Sequence, residues 1–236
     1  MLRYLLPLLL CLGFSAQAQR PFIEDFVLSG DTYLTDDFCF RLTEAIPYRS
    51  GSIWYKRPIS LAEPFSIELS IMVGCDDMEG ADGMVFVFTP QAQRTGYVGE
   101  GMGFAGLRPS IGIEIDTWRN YHLNDPAEDH IAIMANGRVG HQADLAGPTS
   151  IANIEDCTRH RFFVRWDPAQ QKLWVEIDGE EVIAATGDIV NLIFGGSEQV
   201  YWGMTAATGR AYNIHEVCFD RIGYLPGDSG ETRWGE

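Results

Sequence analysis

The stretch SIGIEIDTWRNYHLNDPAEDHIAI, residues 110–133, decides how the chain is read. Ile111, Ile113 and Ile115 alternate with Gly112, Glu114 and Asp116. Successive side chains of a strand leave opposite faces, so the isoleucines make an apolar face and the two carboxylates point away from it. Trp118 and Asn120 follow at the same two-residue spacing, so in an extended strand they share the carboxylate face. Two carboxylates on one face repel each other, and a bound cation is the simplest compensation. Asp125-Pro126 makes a turn that can fold a third carboxylate back over the strand end, and His130 opens the next apolar alternation, Ile131 and Ile133. The donors sort by hardness. Asp116, Asn120, Asp125 and the backbone carbonyl of Trp118 form an all-oxygen set suited to calcium. Glu114, Asp116, Asp125 and His130 add a nitrogen, which suits manganese or another transition metal with waters completing an octahedron. Asp116 and Asp125 serve both sets, so three carboxylates meet the charge of two divalent ions.

Outward from this stretch, period two dominates the chain. Residues 65–73 alternate apolar and polar, and residues 84–88 are a short apolar run suited to a strand buried on both faces. Residues 161–166 and 172–177 read as further strands. Asp178-Gly179 turns the chain into a return strand over 181–185, and strands over 199–206 and 214–222 follow. No window of a dozen residues combines helical periodicity with caps. Many short strands punctuated by turn residues predict an all-β sandwich or barrel. Trp54, Trp166, Trp174 and Trp202 are read as packing residues, and His122 and His215 receive no role.

The 236 residues suit one large β domain, and 46% hydrophobic with 21% charged residues predicts a packed core. Residues 1–18 read as a signal peptide, with Arg3 at the start, an apolar run over 5–14 and the small-x-small site Ala16-Gln17-Ala18. Cys11 follows the bulky Leu10 and is assigned to the removed peptide rather than to lipid attachment. The organisation expected is therefore signal peptide 1–18, domain 19–226 and a polar tail 227–236 that frays. The product is expected to be secreted, periplasmic or held at the cell surface. Arg3 is the only charged residue of 1–18, so cleavage takes the net charge from −16 to −17. Such acidity disfavours nucleic acid and anionic membranes, while neutral sugars are tolerated and divalent cations attracted. No other segment is apolar enough for membrane insertion. Cys39, Cys75, Cys157 and Cys218 remain, an even number in an exported chain. Three pairings are open. Cys39–Cys218 with Cys75–Cys157 is favoured, the first joining an early strand to the last.

Glu114, Asp116, Trp118, Asn120, Asp125 and His130 together resemble the metal-binding pattern of the L-type lectins, the family of the legume seed lectins, with concanavalin A-like spacing. GADGMVFVF (80–88) resembles the family's Ala-Asp-Gly strand. GYVGEGMGFAG (96–106) resembles its glycine-rich sugar loop, and YWGMTAATG (201–209) a strand near its C-terminus. DHIAIMANG (129–137) and GDIVN (187–191) resemble the exported bacterial lectin domains. The resemblance spans about residues 65–224. It implies a concanavalin A-like jelly-roll sandwich of two large antiparallel sheets, with calcium and manganese beside the sugar loops, and a carbohydrate-binding function without catalysis. It makes glycans or polysaccharides the partners and a homodimer one way to gain avidity.

Carried over residue by residue, the resemblance makes Asp82 the main sugar ligand, after a cis peptide from Ala81 and supported by calcium. Asp82 would accept bonds from two sugar hydroxyls. Asn120 would donate its amide to the sugar while its carbonyl oxygen faces calcium, and Trp118 would offer a ring face. Gly101 would supply a backbone N–H, and Thr208, Gly209 and Arg210 would set which sugar fits. HQAD (141–144) resembles a segment of the animal mannose-binding cargo receptors, in which the histidine touches sugar and the aspartate helps hold calcium. That implies a sugar contact at His141 and a supporting role for Asp144.

Two rival functions stand beside this. The laminarinase-type glucanases of the same fold superfamily carry Glu-x-Asp-x-x-Glu on one strand, because a retaining glycosidase needs two carboxyl groups about 5 Å apart. Glu114 and Asp116 begin that pattern, and Arg119 ends it. An adhesion or scaffold module without sugar binding is the other rival, and the intact ligand set argues against it.

Overall fold

The computed structural model describes residues 23–36, 38–91 and 95–219; the expected signal peptide 1–18, Cys11 and the expected polar tail 227–236 lie outside them. Fifteen strands follow in chain order: β1 (Phe26–Gly30), β2 (Tyr33–Asp36), β3 (Cys39–Thr43), β4 (Ser50–Tyr55), β5 (Ile59–Ser60), β6 (Phe65–Met72), β7 (Gly83–Thr89), β8 (Ile111–Asp116), β9 (His130–Ala135), β10 (Ala146–Ser150), β11 (His160–Asp167), β12 (Lys172–Ile177), β13 (Glu180–Thr186), β14 (Gln199–Ala207) and β15 (His215–Cys218). They form two antiparallel sheets. One runs β1-β4-β14-β7-β8-β9-β10 with β5 on β14, and the other runs β13-β12-β11-β6-β15-β3-β2. This is the two-sheet jelly roll expected. The α-helix among the described residues is one turn, Ile189–Leu192, capped by Asp188.

The period-two reading locates the core. Ile111, Ile113 and Ile115 lie between the sheets with Phe86, Phe88, Ile67 and Leu69. Trp202 stacks on Phe86 and Tyr55 there and meets the edges of Phe26 and Phe219. The opposite face of β7–β8–β9 is not left to water. Val85, Val87, Ala132 and Met134 carry a second, smaller core under Met102, Phe104 and Leu107 of the glycine-rich loop, with Trp54. Gly112 is required there, since a Cβ would stand 2.7 Å from the Phe104 ring. All seven residues of β7 are consequently buried, as the continuous apolar run predicts. Trp54, Trp166 and Trp202 are interior. Trp174 instead lies half-buried on an outer face, with Arg165 and Lys172 over its ring.

Both disulfides pair as favoured. Cys39 and Cys218 are direct partners across β3 and β15, and Cys75 joins Cys157. Two expectations need correction. β8 stops at Asp116, because Asp116 Oδ1 accepts from Trp118 N–H at 2.7 Å and turns the chain out of the pleat. Trp118 and Asn120 therefore reach the site from a loop. The last strand covers only His215–Cys218 of the expected 214–222, whose final three residues lie outside those described.

A candidate metal and sugar site at the end of the central strands

Strand register brings the site together. Asp116 pairs with Gly83 of β7 on one side and with His130 of β9 on the other. Glu114 sits between Val85 and Ala132, on the face covered by the glycine-rich loop. The β8–β9 connection is held by its own carboxylates and by Asp82. Asn120 N–H donates to Asp125 Oδ2 at 2.6 Å, and Thr117 N–H donates to the Asp82 carbonyl at 3.0 Å. The next loop docks on this one through His141 N–H and the Leu123 carbonyl, 3.1 Å apart.

Glu114 is 0% exposed, and Asp116, Asp125 and His130 are buried beside it. Both carboxylate oxygens of Glu114, Asp125 Oδ1 and Asn120 Oδ1 are buried without a hydrogen-bond partner in the chain. Each such orphan costs about 1–3 kcal/mol, more when charged, and a cation held among them would remove that cost. The donor atoms are close enough for this. Those of Asp116, Asp125 and His130 lie within 4.8 Å of one another, as do those of Glu114, His130 and His141. Burial, then the neighbouring negative charges, push the Glu114 and Asp116 carboxyls well above the usual range. Burial likewise lowers His130 to about 4, which keeps the ring neutral and able to offer a lone pair. The residues present therefore fit a pair of divalent cations, calcium on the oxygen set and a transition ion on the set that includes His130.

Asp82 lies beside this cluster, after the cis Ala81–Asp82 peptide that the resemblance implied. Its N–H donates to the Ala207 carbonyl, while its side chain is 4% exposed with Oδ2 unpartnered. Gly209 keeps space above it: a Cβ there would come 3.2 Å from Asp82 Oδ2 and 3.5 Å from the Gly99 Cα. Trp118 is 36% exposed, and Arg210 is exposed beside Gly209. Gly101 is buried with its N–H donating to the Val98 carbonyl at 3.3 Å, so Gly99 rather than Gly101 stands over Gly209. His141 is placed differently from its assigned sugar contact. Its side chain is 2% exposed, drawn inward by Asp144, Glu114 and Asp125.

Three contributors escaped the sequence reading. Glu100 reaches Asn120 Nδ2 at 3.4 Å and His122 Nε2 at 3.1 Å. After burial, its charge is what raises Asp82 to about 7. Asn213 and Glu155 anchor the segment leading into Asp82. Asn213 accepts from Cys75 N–H and donates to the Asp76 carbonyl and Glu155 Oε1. Gly80 packs so tightly on them that a Cβ would fall 2.2 Å from both Asn213 Nδ2 and Glu155 Oε1. These contacts join residues far apart in sequence, and no local spacing announces them.

Glu155 gives a pH-dependent expectation. It is 3% exposed with Oε2 unpartnered, and burial, against the Asn213 hydrogen bond and aided by Asp129, raises it to about 7. A raised carboxyl pKa means that ionisation opposes folding, so stability falls as pH climbs from about 4.5 towards 7. Glu155→Gln keeps the acceptor for Asn213 and removes the charge. Its Tm should exceed wild type by about 4 °C at pH 8 and match it within about 1 °C at pH 4. Thermal unfolding at the two pH values checks this, and equal shifts at both would contradict it.

Comparison with known proteins places this arrangement. The profile of the legume lectin beta-barrel domain matches residues 17–221. A galactose-binding lectin of Arachis hypogaea is 31% identical over 102 residues, 41% of this chain and 36% of that protein. Pesticidal crystal protein Cry22Aa of Bacillus thuringiensis is 23% identical over 209 residues, 75% of this chain and 28% of that protein. The chain thus spans well under half the length of these two curated relatives. The lectin of Bauhinia forficata, solved with GalNAc, superposes with a TM-score of 0.70 at 20% identity, covering 83% of this chain and 90% of its own. The exoplasmic/lumenal domain of VIP36, solved in a Ca2+/Man3GlcNAc-bound form, gives 0.69 at 20% identity over 88% and 86%. These likenesses show the fold, and the profile spans all of the described residues, so the chain belongs to the family of legume-type (L-type) lectin domains.

Proposed function

We propose that this chain is an exported lectin that holds calcium and a transition ion and uses them to present Asp82 to a glycan, without catalysing a reaction. The observation that carries this reading is the buried Asp82 carboxylate, with Oδ2 unpartnered, beside a buried cluster in which both oxygens of Glu114 and Asp125 Oδ1 are likewise without a hydrogen-bond partner. Calcium is assigned to Asp116, Asn120, Asp125 and the Trp118 carbonyl. Manganese or another transition ion is assigned to Glu114, Asp116, Asp125 and His130. Bound there, the ions would supply positive charge to the buried carboxylates, while the chain's own Asn120–Asp125 and Thr117–Asp82 hydrogen bonds hold the β8–β9 loop beside Asp82. Asp82 then accepts from sugar hydroxyls, Asn120 donates, and Trp118 offers a ring face.

Hydrolysis is disfavoured by Arg119, which occupies the position of the glucanase acid/base and stacks its guanidinium 4.3 Å over the Tyr121 ring. Export through residues 1–18 and kinship with the exported bacterial branch belong to the same reading. Among the described residues no helix is long and apolar enough to cross a membrane. Because one sugar in such a site binds weakly, pairing into a homodimer would raise avidity.

A glycan-binding screen of the full chain, with and without a chelator, tests the proposal. Binding that disappears with chelator and returns with calcium is expected, and no reducing ends should appear when polysaccharides are incubated with the protein. Binding indifferent to chelator, absence of any glycan ligand, or released reducing ends would overturn it.

A further inference from the structure

The sequence pattern provides one histidine for the transition ion, and the fold delivers two. His141 Nε2 lies 3.3 Å from Glu114 Oε1, 3.3 Å from Asp125 Oδ1 and 3.3 Å from His130 Nε2. His130 Nε2 is 3.8 Å from Glu114 Oε1. Two donors each about 2.05 Å from a tetrahedral ion are separated by about 3.3 Å, so this spacing is that of groups sharing one small cation. The other ring nitrogen, His141 Nδ1, is 2.7 Å from Asp144 Oδ2, whose side chain is 5% exposed. A carboxylate on the far nitrogen fixes the ring's orientation and turns the Nε2 lone pair towards an ion, the usual support of a metal-bound imidazole. Neither oxygen of Glu114 nor Asp125 Oδ1 makes an aligned hydrogen bond to His141 or to any other group, although both residues lie within ion-pair distance of it.

We infer that His141 is a direct ligand of the transition ion, giving a centre of two imidazoles with Glu114 and Asp125. Asp144 is its positioning residue, and the centre takes a zinc-class cation (zinc, cobalt or nickel) in preference to manganese. The inference rests on the two-ion reading above and deepens it. Charge is compatible with it: Glu114, Asp116, Asp125 and Asp144 supply four negative charges to two divalent ions once His141, which against burial Asp125, Asp144 and Glu114 push up to about 10 in the metal-free protein, gives up its ring proton on binding the ion. Ligand chemistry supports it as well, since nitrogen donors favour the later divalent metals while all-oxygen sets favour calcium, magnesium and manganese.

The test is metal binding by the stripped full chain, read separately from sugar binding. Titration calorimetry with zinc and with manganese should give a strong preference for zinc in the wild type. In His141→Ala, zinc affinity should fall at least 100-fold and manganese affinity much less, so the preference collapses. Asp144→Asn should lose about 10–100-fold in zinc affinity while keeping the wild-type cobalt(II) visible spectrum, as expected of a group acting through the ligand. Should His141→Ala fold poorly, His141→Gln and X-ray absorption of the wild-type zinc form replace it, the latter counting two imidazoles.

One imidazole at the zinc, or unchanged zinc-to-manganese preference in the His141 variants, would overturn the inference. So would a wild type that binds calcium and glycan but no transition ion, because His141 would then be a built-in cation neutralising the carboxylates. The first two outcomes leave the proposed function intact and the third removes only its transition ion, whereas calcium-dependent sugar binding itself fails on loss of chelator-sensitive glycan binding.

Discussion

Asp82→Ala is expected to abolish glycan binding while leaving both ions bound. The carboxylate is buried at the base of a glycine-lined space, with Gly209 and Gly99 above it and Oδ2 without a partner. In the proposed complex it accepts two hydrogen bonds from sugar hydroxyls. At about 1.5–3 kcal/mol for each bond to a charged group, their loss corresponds to about 10²–10⁴ in affinity. Asp82→Asn keeps the shape but turns one acceptor into a donor, and a loss of about the same order is expected. Calcium and transition-metal content should match wild type, because Asp82 belongs to neither ligand set. Calorimetry with the best glycan of a screen, beside metal analysis of the same samples, decides the matter. Wild-type affinity in Asp82→Ala would remove the proposed sugar site.

Asp116→Ala should cost more in stability than any surface change if, as proposed, Asp116 is a ligand of both ions. A ligand at 1,000 times its dissociation constant stabilises the native state by about 4 kcal/mol. Loss of two such sites should lower Tm by about 10 °C or more in calcium and zinc buffers. In chelator the order reverses. Wild type then carries Glu114 and Asp116 buried together without a counter-ion, both driven towards protonation by burial and by each other. The variant lacks one of these carboxylates and should be at least as stable as wild type. Chelator should therefore lower the wild-type Tm strongly and the variant Tm by less than about 2 °C. If chelator lowers both by the same amount, Asp116 is not a shared ligand.

Much of the site was readable because strand geometry is simple. Residues two apart share a face, so Ile111, Ile113 and Ile115 announced the core side and Glu114 and Asp116 the other. Asp125-Pro126 and His130 fell at offsets a short connection can close. The even number of cysteines announced two disulfides, and the favoured Cys39–Cys218 joined an early strand to the last, but the choice among the three pairings was closed only by the fold. Where the pleat ended, this reasoning ended with it. Asp116 accepts a bond from Trp118 N–H and turns the strand into a loop, so the positions of Trp118 and Asn120 depend on hydrogen bonds that alternation does not encode.

His141 shows the same boundary. Local likeness assigned it to the sugar, but Asp144, Glu114 and Asp125 together draw its ring into the metal-facing cluster. Glu100, Asn213 and Glu155 were invisible for the same reason, since each acts through residues on other segments of the chain.

By itself, then, the sequence determined an acidic, two-sheet β protein with a carboxylate-and-histidine cluster on one strand pair, because two-residue periodicity and short turns are local properties. Only the tertiary structure decided which loop covers that cluster, which second histidine enters it and what stands over Asp82. Those choices follow from packing between distant segments, where a side chain's neighbours are set by the register of whole sheets rather than by its place in the chain.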